Sequence, residues 1–387
     1  VRVAIVGAGI GGLALAIALR RRGVEADVYE QATRLGEIGA AVALSANATR
    51  LLERLGLGAD LAAVATEPTE LVFRDGRDGH RVAAHPVRHG GWYRDRCGAP
   101  FYGVHRKELQ RILGTAWAGG ALHLGRRLTG VTDGDGPLVL HFAGGPTAEA
   151  DVLVGADGVR SAVRELLTGA DDTVYSGASG FRGVVPTDRL PSLPDPEAIQ
   201  YWMGDGAHLL HYAIGSGDVN FLAVVEGPAR WPDPDGWRVE CPPDEAVRAF
   251  EGWHPAVLEM IADAAPTERW GLFGVRSLDR WSDGRVVLLG DAAHGMVPHQ
   301  GQGANQTLED AVCLAALLAA PGPLPDRLAE YQRARRGRTR RVQHLSRVTN
   351  RLLHLPPGAA AQRRDEVLQD VSAEILWIHE YDVQAAG

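Results

Sequence analysis

Hydrophobic patterning divides the chain into two textures. Residues 3–6, Val-Ala-Ile-Val, form an unbroken apolar run of the kind a strand buried on both faces requires. Residues 10–22 are apolar nearly all round until Arg20, Arg21 and Arg22, which predicts a helix packed on a sheet with cations at its negative end. Gly23 can end that helix in the left-handed conformation. Residues 24–29 predict a second strand that stops at Glu30, so the chain opens as βαβ.

The second texture occupies residues 71–85 and 176–275. Helical periodicity gives way there to short alternating runs such as Gly180-Phe181-Arg182-Gly183-Val184-Val185, Ile199-Gln200-Tyr201-Trp202 and Leu209-Leu210-His211-Tyr212. Turn residues such as Gly215-Ser216-Gly217-Asp218 separate them, and the whole predicts a largely antiparallel sheet with one packed face. The α/β texture returns at residues 106–117, 150–167 and from 284 onward. The expected fold class is therefore α/β, with a Rossmann-like domain interleaved with an antiparallel β-sheet domain and followed by C-terminal helices. The expected segments are 1–70, 100–175 and 272–345 for the first, 71–99 and 176–271 for the second, and 346–387 for the tail. No internal repeat is visible. The tail is expected to be helical from residue 326, broken at Pro356-Pro357, with a last amphipathic segment over 365–381. Its apolar face, including Leu368, Val371, Ile375 and Ile378, would pack on its own domain or form a dimer contact, so a monomer or a homodimer is expected.

At 387 residues the chain can bury two or three substantial cores. A net charge of −8 argues against a general nucleic-acid binder, and the Arg-rich run 333–341 reads as the solvated face of a helix. One lysine stands against 39 arginines, a skew that fits a GC-rich genome rather than a chemical need. Cys97, Cys241 and Cys313 are widely spaced and odd in number, which predicts free thiols and a cytoplasmic protein. The uncharged stretch 3–19 lacks a long basic leader and holds four glycines, so it reads as core rather than as a membrane or signal segment; the opening Val1 reads as a trimmed start.

Three motifs carry the chemistry. Gly7, Gly9 and Gly12 fit G-x-G-x-x-G between the first strand and helix: a tight turn, a close backbone approach to a pyrophosphate, and close helix–strand packing. Glu30, 18 residues after Gly12, is placed to accept ribose hydroxyls. The second motif, Gly155-Ala156-Asp157-Gly158-Val159-Arg160-Ser161, follows a strand and starts a helix, where Asp157 either caps the helix or serves a ligand. The third is Gly290-Asp291 after the apolar strand 286–289, continuing through Pro298, His299, Gly301, Gly303 and Asn305 into a helix expected over residues 306–320. An acid at a strand end can accept polyol hydroxyls, and a glycine loop entering a helix offers free N–H groups to an anionic ring. Together these features suit a flavin.

In this order and spacing, the fingerprint, GADGxxSxxR and GDAAHxxxPxxGQGxNxxxED resemble the single-component FAD-dependent aromatic hydroxylases, within them the salicylate-hydroxylase-like branch. The resemblance extends over residues 35–39 to Asn47-Ala48, Val104-His105-Arg106, residues 181–186 and Glu330-Tyr331-Gln332-Arg333, nearly the whole chain. It implies bound FAD, with Gly7, Gly9, Gly12 and Glu30 holding the ADP half. Arg106 would lie near the pyrophosphate, and Asp157 would help hold FAD and the nicotinamide donor. Asp291 would bind the ribityl chain, and Pro298, Gly301, Gly303 and Asn305 would wrap the pyrimidine edge of the ring. It also implies transient NADH or NADPH, then O2 forming a C4a-hydroperoxide that hydroxylates a phenolic or heteroaromatic acid, with or without decarboxylation. Two positions depart from the pattern: Ala41 stands where relatives often have glycine, and Ala46 replaces a frequent proline before Asn47.

Hydroxylation of a phenol needs a phenolate, so a general base is expected among His211, Tyr212 and His299, the first two pointing to opposite faces of one strand. Asn47, Arg182, His211, Tyr212 and Pro298 are the expected substrate contacts, Arg182 either for a carboxylate or as a structural cation. His294 and Glu309 read as structural. The same flavin chemistry would also fit tailoring of a larger natural product or inactivation of an antibiotic. A non-catalytic flavin-dependent binding protein is the reading of another class, and no WxWxIP motif of a flavin halogenase is present.

Overall fold

In the computed structural model, residues 1–36, 41–234, 236–370 and 372–385 are described, with His89 and 372–374 described by backbone alone. Glu37, Ile38 and Gly39 of the motif segment and Val371 of the tail lie outside the described residues.

The two textures become two sheets. Strand Arg2–Val6 pairs in parallel with Glu25–Glu30 on one side and with Val152–Gly155 on the other. Val286–Leu288 and Ala121–Leu124 extend this parallel sheet, and the short strand Ser282–Asp283 closes its edge antiparallel. The first helix, Ile10–Arg20, is buried at ten of its eleven residues, and Gly23 follows it at φ +72°. It lies so close to helix Gly303–Ala319 that a Cβ on Gly11 would meet the Thr307 side chain at 2.4 Å.

The second sheet has eight strands, in the order 238–240, 268–275, 173–186, 218–226, 207–214, 199–204, 70–75 and 81–86. All its pairings are antiparallel except that of Ile199–Gly204 with Glu70–Asp75. Residues 173–175 and 272–275, expected in the other domain, belong to strands of this sheet.

Alternation gives the large sheet two different faces. Phe181, Trp202, Leu209, Phe221 and Ala223 pack under helix Pro255–Ala264 through Ala256, Val257, Met260 and Ile261. Ile199, Leu210, Tyr212 and Ile214 pack on the opposite face, toward Ala41, Ala43 and Phe101 from the flavin-domain side.

The C-terminal region corrects two expectations. The Arg-rich run lies in helix Leu324–Leu353, but it is not simply a solvated face. Arg335 is fully buried and Arg338 nearly so, both paired with Glu309, because the helical period turns them inward with Thr339 and Val342. The amphipathic segment expected over 365–381 is two helices, Ala359–Leu368 and Ser372–His379. Leu368 packs with Phe73, Val82, Met203 and Leu353 of its own chain, and Ile378 is also buried.

Candidate active site

The glycine fingerprint is a cradle that side chains would fill. Gly7 has φ +106°, and a Cβ there would fall 2.3 Å from the Ala156 carbonyl oxygen, while one on Gly12 would strike the Gly7 carbonyl oxygen at 1.9 Å. Gly9 is the N-cap of the first helix and supplies no side-chain cap, so the helix start keeps its N–H groups for an anion. Glu30 lies beside this turn. Its Oε2 accepts the Ala8 N–H at 2.8 Å, and its Oε1 accepts the Ala32 N–H at 2.9 Å.

Asp157 behaves as a helix cap. Its carboxylate accepts the Ser161 hydroxyl and the Val163 N–H, the latter at 3.1 Å, and burial raises its pKa against those bonds. Arg164, buried just beyond, donates to the Ala292 carbonyl at 3.1 Å and so ties this helix to the Gly290-Asp291 turn.

Gly290, at φ +63°, turns the chain so that Asp291 opens a short helix, Asp291–His294. The Asp291 carboxylate takes no hydrogen bond among the described residues, and a Cβ on Gly303 would lie 3.8 Å from its Oδ1. Asp291 therefore faces the glycine loop with its acceptors open. Pro298 starts a 3-10 turn, Gly301 sits at φ +61°, and the long helix starts at Gly303, three residues earlier than expected, because Gln302 is already in a helical conformation.

A buried polar network holds this loop. Asn305 donates to the Ala43 and Gly301 carbonyls at 3.0 and 2.7 Å and accepts the Ser45 N–H at 2.9 Å. Asn47 donates to Glu309 at 2.6 Å and to Gln302 at 3.2 Å, and accepts the Ser45 hydroxyl at 2.6 Å. Asn47 was expected at the substrate; its side chain is consumed by the scaffold instead. Asp310 braces the acidic turn from below, accepting the Gly290 N–H at 3.0 Å and pairing with His294 and Arg335. The departure at Ala46 has a local reason: its N–H reaches the Tyr93 hydroxyl at 3.1 Å, a bond proline could not make.

Pairing registers set the floor facing the loop. Arg182, Leu222, Leu210, Tyr201 and Phe73 are consecutive partners across five strands and so share one face. Tyr212 and His208 flank Leu210 along its strand on that same face. Arg182 stacks over Trp270, 4.8 Å from the ring, and makes no ion pair among the described residues. Burial and the Arg106 guanidinium pull its pKa down to about 10, so it remains a cation at neutral pH. Burial raises the Tyr212 phenol, Tyr201 adding to the rise and Arg182 and Arg106 opposing it, so Tyr212 is a protonated donor rather than a base.

His211 is a correction. It lies on the helix-packed face, its ring 6.4 Å from that of Trp202, with neither nitrogen hydrogen-bonded among the described residues. Burial and nearby Arg74 lower its pKa to about 3. A residue on the far side of the sheet cannot reach a substrate on the flavin side.

The residue missed on that strand is His208, which shares the Tyr212 face. The expected strand began at residue 209, whereas the observed strand is Ala207–Ile214; counting four back from Tyr212 would have found it. The His208 ring lies 5.2 Å from that of His299, edge to face. Burial is the main reason both imidazoles stay neutral, His299 at about 3 with His354 adding to the shift. The His299 carbonyl accepts the Tyr201 hydroxyl at 3.3 Å, joining the loop to the sheet. The structure thus sets Arg182, Tyr212 and His208 on one face of the sheet, His208 against His299 of the loop, with Arg106 acting electrostatically on Arg182 and Tyr212.

Comparison with known proteins decides the family. Residues 1–346 match the FAD binding domain family. The chain is 39% identical, over 100% of its length and 97% of the relative's, to a 3-amino-4-hydroxybenzoate 2-monooxygenase from Streptomyces platensis. This chain belongs to the salicylate-hydroxylase-like FAD-dependent monooxygenases. A salicylate hydroxylase solved as its substrate complex superposes on this monooxygenase with a TM-score of 0.84 at 29% identity, covering 99% of this chain and 96% of that one. HpxO of Klebsiella pneumoniae, solved with FAD and uric acid, gives 0.86 at 27% identity, covering 99% and 97%. The monooxygenase acts on an aromatic ring, with FAD as its cofactor, NAD(P)H as reductant and O2 as co-substrate. The crowded glycine turn and the open Asp291 carboxylate fit that cofactor. No helix among the described residues is long and apolar enough to cross a membrane.

Proposed function

We propose that this enzyme hydroxylates an amino- or hydroxy-substituted benzoate, of which 3-amino-4-hydroxybenzoate is the leading candidate, on the floor formed by Arg182, Leu222, Leu210 and Tyr201. Arg182 carries this reading: it is a cation facing the flavin loop, stacked on Trp270, with no acidic partner among the described residues. A half-buried, desolvated cation without a counter-charge costs free energy unless a ligand supplies one, and a benzoate carboxylate does so. The relative from Streptomyces platensis, named for 3-amino-4-hydroxybenzoate, supports the choice of ring.

The glycines Gly7, Gly9 and Gly12 hold the pyrophosphate, Glu30 the ribose, with Arg106 near the phosphates, and Asp291 accepts the ribityl hydroxyls. Asp157 acts by fixing the helix after its turn. Asn305 shapes the loop, Pro298 and Gly301 turn it through the Gly301 N–H to Pro298 carbonyl bond of 2.8 Å, and Gly303 presents its N–H and the positive helix end to the pyrimidine edge of the ring. Bound there and reduced by NADH or NADPH, FAD would supply the electrons that activate O2 for transfer to the ring. The protein orients the ring through Arg182 and Tyr212, excludes water with Leu210 and Leu222, and removes the phenolic proton at His208 Nε2, His299 lying beside it. The enzyme works in the cytoplasm as a monomer or homodimer, with Leu368 and Ile378 of its tail buried within its own chain.

The test is a panel of 3-amino-4-hydroxybenzoate, 3-hydroxybenzoate, salicylate and their decarboxylated counterparts, given to the FAD-loaded enzyme with NADH or NADPH. Flavin reduction and hydroxylated product are measured together, since a ring can speed reduction without being hydroxylated. Arg182→Gln should raise KM for the acids by on the order of 10–100-fold and leave the rings lacking a carboxylate unchanged. Equal losses for both groups would remove the carboxylate role.

A further inference from the structure

His208 is not an isolated base. Its Nδ1 lies 2.7 Å from Nε2 of His354, and Nδ1 of His354 lies 3.5 Å from Oε1 of Glu226. His354 is almost fully buried, whereas the Glu226 side chain is 64% exposed. The backbone fixes this line at both ends: Gly206 N–H donates to the His354 carbonyl at 3.1 Å, and Glu226 N–H donates to the Gly206 carbonyl at 3.0 Å. His354 caps helix Leu324–Leu353 just before Pro356-Pro357, so three distant segments meet at one exit.

The geometry points to a proton conduit, His208 to His354 to Glu226, that carries the substrate's phenolic proton from the buried floor to solvent. This rests on the reading of His208 as the base. In the resting tautomer His208 Nδ1–H donates to His354 Nε2, leaving His208 Nε2 as acceptor. The phenol O–H bond breaks and its proton joins His208 Nε2. The Nδ1 proton of His208 crosses to His354 Nε2, and the Nδ1 proton of His354 passes to the Glu226 carboxylate, directly or across one water, and from there to solvent. One proton enters, one departs, and each imidazole returns to neutral. When the product phenolate takes up a proton, the same transfers in reverse restore the tautomers.

Burial makes such a route necessary. An imidazolium trapped at His208 would be desolvated and would face two further imidazoles, His299 and His354, which disfavour its charge. The charged groups around the line are few. Glu226 from strand Asp218–Glu226 raises the proton affinity of His354 against its burial, and His299 approaches from the loop. Arg364 of the helix behind reaches the Leu352 carbonyl but is paired with Asp365. The His354–Glu226 gap of 3.5 Å lacks hydrogen-bond geometry, and a small side-chain rotation of the exposed Glu226, or one water, closes it.

The test uses oxidised, FAD-loaded enzyme without NAD(P)H, mixed rapidly with 3-amino-4-hydroxybenzoate, or with the fastest ring of the panel if that acid is not hydroxylated. Phenolate absorbance reports ionisation at the site, and an indicator dye in weakly buffered medium reports proton arrival in solvent. Wild-type release should be fast and independent of buffer concentration. His354→Gln and Glu226→Gln should each slow release by on the order of tenfold, with added buffer restoring it, and imidazole should restore His354→Ala. A role in folding alone would not create buffer dependence. Glu226→Gln, a change of an exposed side chain, keeps the question answerable if His354 variants fail to fold. Wild-type release in Glu226→Gln and His354→Gln, or slowing that no buffer relieves, overturns the conduit while His208 stands. Unaltered ionisation in His208→Gln overturns the base itself.

Discussion

Ala46 shows how one residue can record what a site needs. Its N–H bonds to the Tyr93 hydroxyl, which in turn contacts His379 Nδ1 at 2.9 Å and so links the flavin-side helix to the tail. Ala46→Pro would delete that donor and leave a buried hydroxyl one bond short, at a cost of about 1–3 kcal/mol. Denaturant unfolding should register this as a lower midpoint with an unchanged slope; no change would mean that a water replaces the donor. Tyr212 gives a contrasting case. Because its phenol is held protonated, Tyr212→Phe should weaken substrate binding by on the order of tenfold without moving the pH profile. A shifted profile would return it to the list of bases.

At the scale of elements, the helix pair Gly303–Ala319 and Leu324–Leu353 does what the Gly290-Asp291 turn cannot do alone. Asp310 is fully buried; burial pushes its carboxyl up, but His294 and Arg335 outweigh that and hold it below the usual carboxylate range. A depressed folded-state pKa means that its stabilisation is present above the ordinary carboxyl value and fades as pH falls through the lower one. Acidification below about pH 4 should therefore loosen the turn and release FAD. Asp310→Asn should cost about 3–5 kcal/mol near neutrality, by removing the buried carboxylate that pairs with His294 and Arg335 and leaving Arg335 and Arg338 to share Glu309, and should flatten the acid-side stability curve. FAD fluorescence during an acid titration checks both statements.

This network also marks what the sequence could and could not disclose. The apolar run 3–6, the helix after it and the spacing to Glu30 made the parallel sheet legible, because buried strands and glycine turns leave local patterns. Alternation announced the second sheet, and it announced that His211 and Tyr212 part company, but not which of them faces the flavin. That choice depends on which layer covers each face, and helix Pro255–Ala264 lies more than forty residues downstream. Asn47 misled because an amide serves a scaffold and a ligand equally well. Arg335 and Arg338 looked solvated because their partners, Glu309 and Asp310, sit one helix earlier. His354 left no signal at all; only the fold brings it beside His208.

For the whole molecule, cofactor and chain should stabilise one another. The glycine cradle, Glu30 and Asp291 exist only in the folded state, so FAD at a hundredfold excess over its Kd should add about 2.7 kcal/mol to stability. Thermal scans with and without FAD measure this directly, and indifference to FAD would remove the role assigned to the cradle.

The contact between the first helix and helix Gly303–Ala319 also governs how the chain is made. Ile10–Arg20 emerges with almost every side chain apolar, yet Thr307, the residue seated against Gly11, follows about three hundred residues later. At roughly 5–20 residues per second, that helix waits on the order of 15–60 s for its cover. Strand Val286–Leu288, which completes the parallel sheet beside Val152–Gly155, arrives almost as late. Throughout that interval the nascent chain has an uncovered apolar helix and no finished cofactor pocket, so this domain completes its fold only after the segment around Thr307 has been made.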